Sequence, residues 1–101
     1  MAARVNRLGN AWAGEQTGAG GVSAVVDLDW RAQVSLLIDV SGPTVLTWDG
    51  SLDGQAFYPE HSVSADAANL RFAHSHTVGY RFLRLRSSNN VLATVTVTAA
   101  R

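Results

Sequence analysis

Residues 44–58, TVLTWDGSLDGQAFY, decide the fold of this chain. Leu46 and Trp48 stand at alternate positions, which is the pattern of a half-buried strand. Two Asp-Gly pairs come next, Asp49-Gly50 and Asp53-Gly54. Alternating apolar residues interrupted by Asp-Gly are a strong hairpin signal. The stretch therefore predicts paired β-strands, and it contains no catalytic signature.

The same alternation recurs along most of the chain. We predict strands over 22–30, 33–40, 44–48, 70–73, 80–86 and 91–99, with a further extended segment from Gln55 that Pro59 interrupts. His74 to Gly79 is predicted to be a loop. Seven to eight short strands, separated by turn signals about every 8–12 residues, predict an all-β fold built as an antiparallel β-sandwich.

Residues 1–21 differ from the rest, because they hold five glycines and sustain no period of 2 or 3.6. We predict two parts in a one-domain chain: an N-terminal arm over 1–21 and a β-sandwich domain over 22–101. The arm is either flexible or ordered against a partner. In the second case Trp12 is its anchor, since Trp is enriched at binding hot spots. The residues expected to join it are Arg4, Arg7 and Leu8.

Composition excludes several classes of function. Eight acidic and eight basic residues give a formal net charge of zero, which argues against binding to nucleic acid. No run approaches the roughly 20 apolar residues that span a bilayer, so no membrane insertion is expected. Cysteine is absent, which removes disulfides and thiolate metal sites. The basic strip Arg81, Arg84 and Arg86 is expected to pair with carboxylates on neighbouring strands, namely Asp27, Asp29 or Asp39.

Two groups of residues have the composition of a metal site. Asp49, Ser51 and Asp53 have calcium-loop spacing, but the distant acidic ligand is missing and the same residues also make a turn. His74 and His76 form H-x-H, which on a strand would present two imidazoles to one metal, with His61 elsewhere in the chain. We predict neither a metal nor another cofactor; the residues that a site would use are Asp49, Asp53, His74 and His76.

No catalytic motif accompanies the Ser, His and Asp residues of the chain. There is no G-x-S-x-G elbow, and no carboxylate stands in a context that predicts a raised pKa. The sequence therefore predicts that the protein is not an enzyme.

Three segments, IDVSGPTVLTWDGSLDGQAFYP, GYRFLRLRSS and VTVTAAR, carry a family resemblance. In this order they resemble small jelly-roll β-sandwich modules of tailed-phage and phage-like virions, over residues 22–101. The pieces S-x-D-G-x-x-F and R-[FY]-[LI]-R are also similar to discoidin-like carbohydrate-binding domains, which are longer.

The resemblance implies a virion structural protein: a capsid decoration, a head-spike base, or a tail or baseplate component. Such a protein would be a homo-oligomer in the particle, and its arm and sandwich surface would bind neighbouring capsid, portal or tail proteins. Its expected location is the virion, an extracellular particle assembled in the host cytoplasm.

The alternative is a carbohydrate-binding module that recognises surface polysaccharide. In that case aromatic side chains would stack on sugar rings, and the candidates are Trp30, Trp48 and Tyr58. Aromatic residues at alternating strand positions also pack in cores, so the sequence leaves both roles open for them.

Overall fold

A computed structural model describes residues 5–100 of the chain. Over this range the chain forms nine strands: β1 (Val5–Gln16), β2 (Gly21–Val22), β3 (Val26–Asp27), β4 (Gln33–Val40), β5 (Thr44–Ser51), β6 (Tyr58–Ala65), β7 (Arg71–Thr77), β8 (Phe82–Ser87) and β9 (Leu92–Ala100). Over these residues no helix is long and apolar enough to cross a membrane. The prediction of an all-β fold is confirmed.

The strands form two antiparallel sheets that face each other. Sheet 1 has the order β1-β9-β4-β7, and sheet 2 has the order β2-β8-β5-β6, with β3 also paired to β8. Because β2 and β3 both pair with β8, they act as one interrupted strand. Two facing layers of four strands with crossovers between them are the jelly-roll form of the β-sandwich.

The core lies between the sheets and follows the alternation in the sequence. Strand β4 buries every second residue, and so do β8 and β9. A slip of one residue would turn each of these apolar sets toward solvent, so the pattern fixes the register. The largest fully buried side chains include Trp48, Leu28, Leu36, Ile38, Leu46, Leu83 and Leu85.

The structure differs from the expected N-terminal arm, since β1 pairs with β9 along most of its length. The register shifts three times, between Arg7 and Gly9, between Asn10 and Trp12, and between Ala13 and Glu15. Each shift inserts one unpaired residue, which breaks the period of 2 that would have revealed the strand. Gly9 and Gly14 have φ values of 126° and 72°, which suit glycine at such irregularities.

Trp12 is part of the core and not a free anchor. Trp12 is only 4% exposed, and neighbouring Ala11, the extra residue of the register shift between Asn10 and Trp12, is buried too. Of the other expected arm contacts, Arg7 and Leu8 lie in β1, but their side chains are outside the part of the structure described. Arg4 precedes the described residues.

The strand predicted over 22–30 is interrupted. Asp29 and Trp30 have φ values of 52° and 59°, in the left-handed region, where the chain turns away from sheet 2. Val26 and Leu28 point into the core as predicted, but Trp30 is 55% exposed. The turn is held by the Asp29 amide, which donates to Asp27 Oδ1 at 2.9 Å.

Strand β7 is longer than predicted and includes His74 and His76, so the loop expectation for these residues was wrong. The strand lies at the edge of sheet 1 and pairs only with β4. Its inward side chains are half-buried and two of them are imidazoles, so the apolar alternation that marks other strands is weak here.

Candidate functional site

A cleft of about 350 Å³ opens at the end of the sandwich where β5 leads into β6. Its lining comes from this connection, from the start of β6 and from the segment before β8. The lining residues are Gly50, Ser51, Leu52, Asp53, Ala56, Tyr58, Pro59, Glu60 and Tyr80. The fold-deciding stretch of the sequence thus forms most of this cleft.

The rim is a turn that is organised by Asp53. Its Oδ1 accepts hydrogen bonds from the amides of Gln55 at 2.8 Å and Ala56 at 3.0 Å, and from Ser51 Oγ at 3.1 Å. The bond from Gln55, followed by those from Ala56 and Ser51, lowers the pKa of Asp53. Gly54 supplies the left-handed position, with φ of 80°. The rim is therefore fixed before any ligand arrives.

Tyr80 and Gly50 form the floor. A Cβ at Gly50 would lie 2.4 Å from Tyr80 Cδ2, so only glycine lets the ring approach the backbone. Tyr80 is 8% exposed, and its hydroxyl has no hydrogen-bond partner among the described residues. Burial, and then the charges of Glu60 and Asp49, raise the pKa of Tyr80. The hydroxyl therefore stays protonated and keeps an unused donor.

Tyr58 forms the open wall of the cleft. It stands opposite Gly50 in the β5–β6 pairing and is 69% exposed, which makes it the most exposed of the large hydrophobic side chains described. Leu52 is exposed beside the same cleft. An exposed ring next to apolar and polar surface can hold a ligand that has both kinds of surface.

Glu60 occupies a β-bulge. Trp48 pairs with His61 and Asp49 pairs with Pro59, so Glu60 is the extra residue on β6. Bulges re-aim side chains, and here the carboxylate lines the cleft while its Oε1 lies 2.9 Å from His76 Nε2. Pro59 is tolerated because β6 is an edge strand, which needs no donor on its outer side.

Three imidazoles stack between the edges of the two sheets, behind Glu60. His61 Nε2 lies 3.0 Å from His74 Nε2, and the His61 and His76 rings are parallel with centroids 4.4 Å apart. All three rings meet buried Trp48 edge to face. Burial, followed by the charges of His61 and His76, lowers the pKa of His74. We call these three residues the histidine stack.

Asp49 is not available as a ligand for the calcium site considered above, because it lies in the interior. Its carboxylate is 1% exposed and accepts from Arg84 Nε at 3.2 Å and from Arg86 Nε at 2.8 Å. His74 and His76 lie on one face of their strand, as expected, and the ring of His61 stacks against theirs. Even so, residues 5–100 contain no group of three or more His, Cys, Asp or Glu side chains that could hold a metal ion.

The predicted pairing of the arginine strip is partly corrected. Arg81 binds Asp27 through two bonds of 2.9 and 3.0 Å, as expected. Arg84 and Arg86 bind Asp49 rather than Asp29 or Asp39, because β8 lies directly beside β5. Arg84 also covers the ring of Phe57 at 4.4 Å. The three guanidinium groups are thus engaged within the fold.

Of the three aromatic residues considered for stacking, the cleft contains one. Tyr58 lines it, Trp48 is fully buried in the core, and Trp30 is exposed but does not line it. The sequence did not identify Glu60 or Tyr80. Tyr80 stands at the start of a predicted strand beside Gly79, which is the one signal that could have marked it as a loop-end residue.

Comparisons with known proteins agree with the fold. Neither a protein-family model nor a curated protein sequence matches the chain. Among solved structures it is similar to CBM32-1 from a family 31 glycoside hydrolase of Clostridium perfringens. The TM-score is 0.54 at 12% identity, over 96% of this chain and 94% of that one. The likeness shows a shared β-sandwich fold.

Proposed function

We propose that the protein is a carbohydrate-binding module that holds a sugar ring in the cleft against Tyr58. The observation that carries the proposal is an exposed tyrosine ring beside a cleft lined by the acceptors of Asp53 and Glu60. A pyranose has an apolar face that stacks on an aromatic ring and hydroxyls that seek such acceptors. The volume suits a ligand of one or two rings, at the small end of known sites.

The solved structure described above supports this choice. That protein is a CBM, a carbohydrate-binding module, and its chain has nearly the same extent as this one. We propose a binding role without turnover, in line with the lack of a catalytic motif in the sequence.

The test compares two exposed aromatic residues. Affinity electrophoresis through gels containing neutral polysaccharides, followed by calorimetry with the one that retards the protein, measures binding. Tyr58→Ala should weaken binding by about tenfold or more, since it removes the stacking ring. Trp30→Ala is the matched control, because it removes a similarly exposed ring outside the cleft. The proposal fails if no polysaccharide retards the protein, or if only Trp30→Ala loses binding.

A place in a phage or phage-like virion remains a second proposal, which rests on the sequence resemblance. Because β1 belongs to the sandwich, contacts with neighbouring subunits would use the sandwich surface, where Leu37 on sheet 1 is more than half exposed. A spike or baseplate module that binds surface polysaccharide would unite the two proposals. Quantifying this chain in purified particles tests the second one, which fails if the particles do not contain it.

A further inference from the structure

The cleft carries negative charge without a matching cation in its lining. Two of its lining residues, Asp53 and Glu60, are carboxylates, and none is Arg or His. The nearby guanidinium groups of Arg84 and Arg86 are already engaged by Asp49. A ligand in this cleft therefore meets acceptors that carry negative charge.

The two carboxylates differ in what remains available to a ligand. Oδ1 of Asp53 already takes three hydrogen bonds from its own turn. Glu60 is placed on a bulge, is part-exposed, and has one contact, from its Oε1 to His76 Nε2. Glu60 is therefore the carboxylate better placed to accept from sugar hydroxyls, because an ionised carboxylate accepts and does not donate.

We propose that Glu60, held by His76, is the specificity-determining residue of the cleft and restricts it to glycans without acidic groups. The inference rests on the proposed function and names the substrate class of the same site. A neutral sugar ring offers hydroxyl donors to the Glu60 carboxylate. A uronic acid brings a second anion within a few ångströms of it, and two like charges at such a distance repel each other.

His76 acts as a positioning residue. It reaches Glu60 from the other sheet and is stacked on His61, which contacts His74 in turn. The other titratable groups near this cluster are Tyr80, which stays neutral, and Asp49, which is held by two arginines. The position of the Glu60 carboxylate in the cleft therefore depends on the His76 ring.

The experiment uses matched ligands that differ only at C6. Calorimetry or NMR titration compares methyl glucoside, galactoside and mannoside with the corresponding methyl uronosides. The wild type should prefer the neutral member of the pair it binds by at least about tenfold. Glu60→Gln should weaken binding of the neutral glycoside by about fivefold. It should also bring the affinities for the neutral glycoside and the uronoside within about threefold of each other. Glu60→Asp, which keeps the charge, should still reject the uronoside.

Asp39→Asn is the control for net charge. Asp39 lies on β4 in sheet 1, away from the cleft, and its contact with Arg71 is long and exposed. This variant should retain both the affinity for the neutral glycoside and the preference for it over the uronoside. The inference is overturned if Glu60→Gln keeps the wild-type preference while Tyr58→Ala abolishes binding, which would leave the proposed function intact. If no glycoside or polysaccharide binds the wild type, both fail.

Two variants of His76 separate positioning from a merely structural role. His76→Ala removes the contact with Glu60 Oε1 and should reduce the preference for the neutral glycoside by about threefold or more. His76→Gln keeps an amide donor for Glu60, so it should restore the preference that His76→Ala loses. The role of His76 is refuted if His76→Ala keeps the wild-type preference, or if His76→Gln loses the preference as fully as His76→Ala does.

Discussion

Arg86 binds both carboxylate oxygens of Asp49, with Nε to Oδ2 at 2.8 Å and Nη2 to Oδ1 at 3.0 Å. Asp49 is buried, while the guanidinium remains partly exposed. The pair ties β5 to β8 directly beside the floor of the cleft. This bidentate arrangement is the strongest geometry for an arginine–carboxylate contact, and its bond to Asp49 raises the pKa of Arg86.

Arg86→Met should lower the free energy of unfolding by about 2–4 kcal/mol, somewhat below the usual cost for a fully buried pair, since Arg84 still holds Asp49. The loss comes from leaving a buried carboxylate with one partner instead of two. Urea unfolding at neutral pH measures it.

Arg71→Met is the matched control. Arg71 lies 3.8 Å from Asp39 on the exposed face of sheet 1, where both side chains are mostly in water. Its removal should change the free energy of unfolding by less than about 0.5 kcal/mol. Equal losses in the two variants would show that burial of Asp49 does not strengthen the pair.

Gly50→Ala should distort the cleft floor. The new methyl group would meet the Tyr80 ring at 2.4 Å, so the ring or the strand must move, at a cost of about 1–3 kcal/mol. Polysaccharide affinity should fall as well, because Tyr80 lines the cleft. In Gly79→Ala nothing lies within 4 Å of the added carbon, so stability should be retained. If Gly50→Ala is as stable as the wild type, the close packing of Tyr80 on Gly50 is refuted.

Trp12→Ala should cost about 3–5 kcal/mol, because it empties a large site in the core between β1 and the opposite sheet. Thermal unfolding followed by circular dichroism measures the loss. Trp30→Ala is the comparison, since the exposed ring of Trp30 should contribute less than about 0.5 kcal/mol. Deleting residues 1–16 should prevent folding. A folded, cooperative truncated chain would restore the idea of a separable arm.

The sequence predicted the strands whose inward side chains are mostly apolar, and it missed those whose signal is interrupted. Strand β4 was predicted with its observed bounds because Val34, Leu36, Ile38 and Val40 alternate without a break. Strand β1 escaped detection because three register shifts interrupt its alternation, and the shift between Asn10 and Trp12 leaves both Ala11 and Trp12 buried. No propensity reveals such a shift, since it exists only in the pairing with β9.

The same reasoning explains what was missed at the cleft. Glu60 gains its position from a bulge that is defined by its partner strand, and Tyr80 gains its place from the absence of a side chain at Gly50. Neither relationship is local in sequence. Tyr58 was named from the sequence together with Trp30 and Trp48 as a candidate for stacking, and it is exposed, whereas Trp48 obeyed strand alternation and is buried.

The histidine stack should make the fold sensitive to acid. The folded state lowers the pKa of His74 below 6.5, by burial and by the charges of His61 and His76. Below that value the unfolded chain binds more protons than the folded one. The stabilisation is therefore complete above about pH 6.5 and is lost progressively as the pH falls below it.

His74→Phe removes this titrating group while keeping a ring between the sheets. From about pH 7.5 to about pH 5, the wild type should show a clear fall in the urea midpoint, and His74→Phe a smaller one. Ser75→Ala, on the outward face of the same strand, should follow the wild-type pH dependence. An undiminished fall in His74→Phe would mean that other groups set the acid sensitivity of the sandwich.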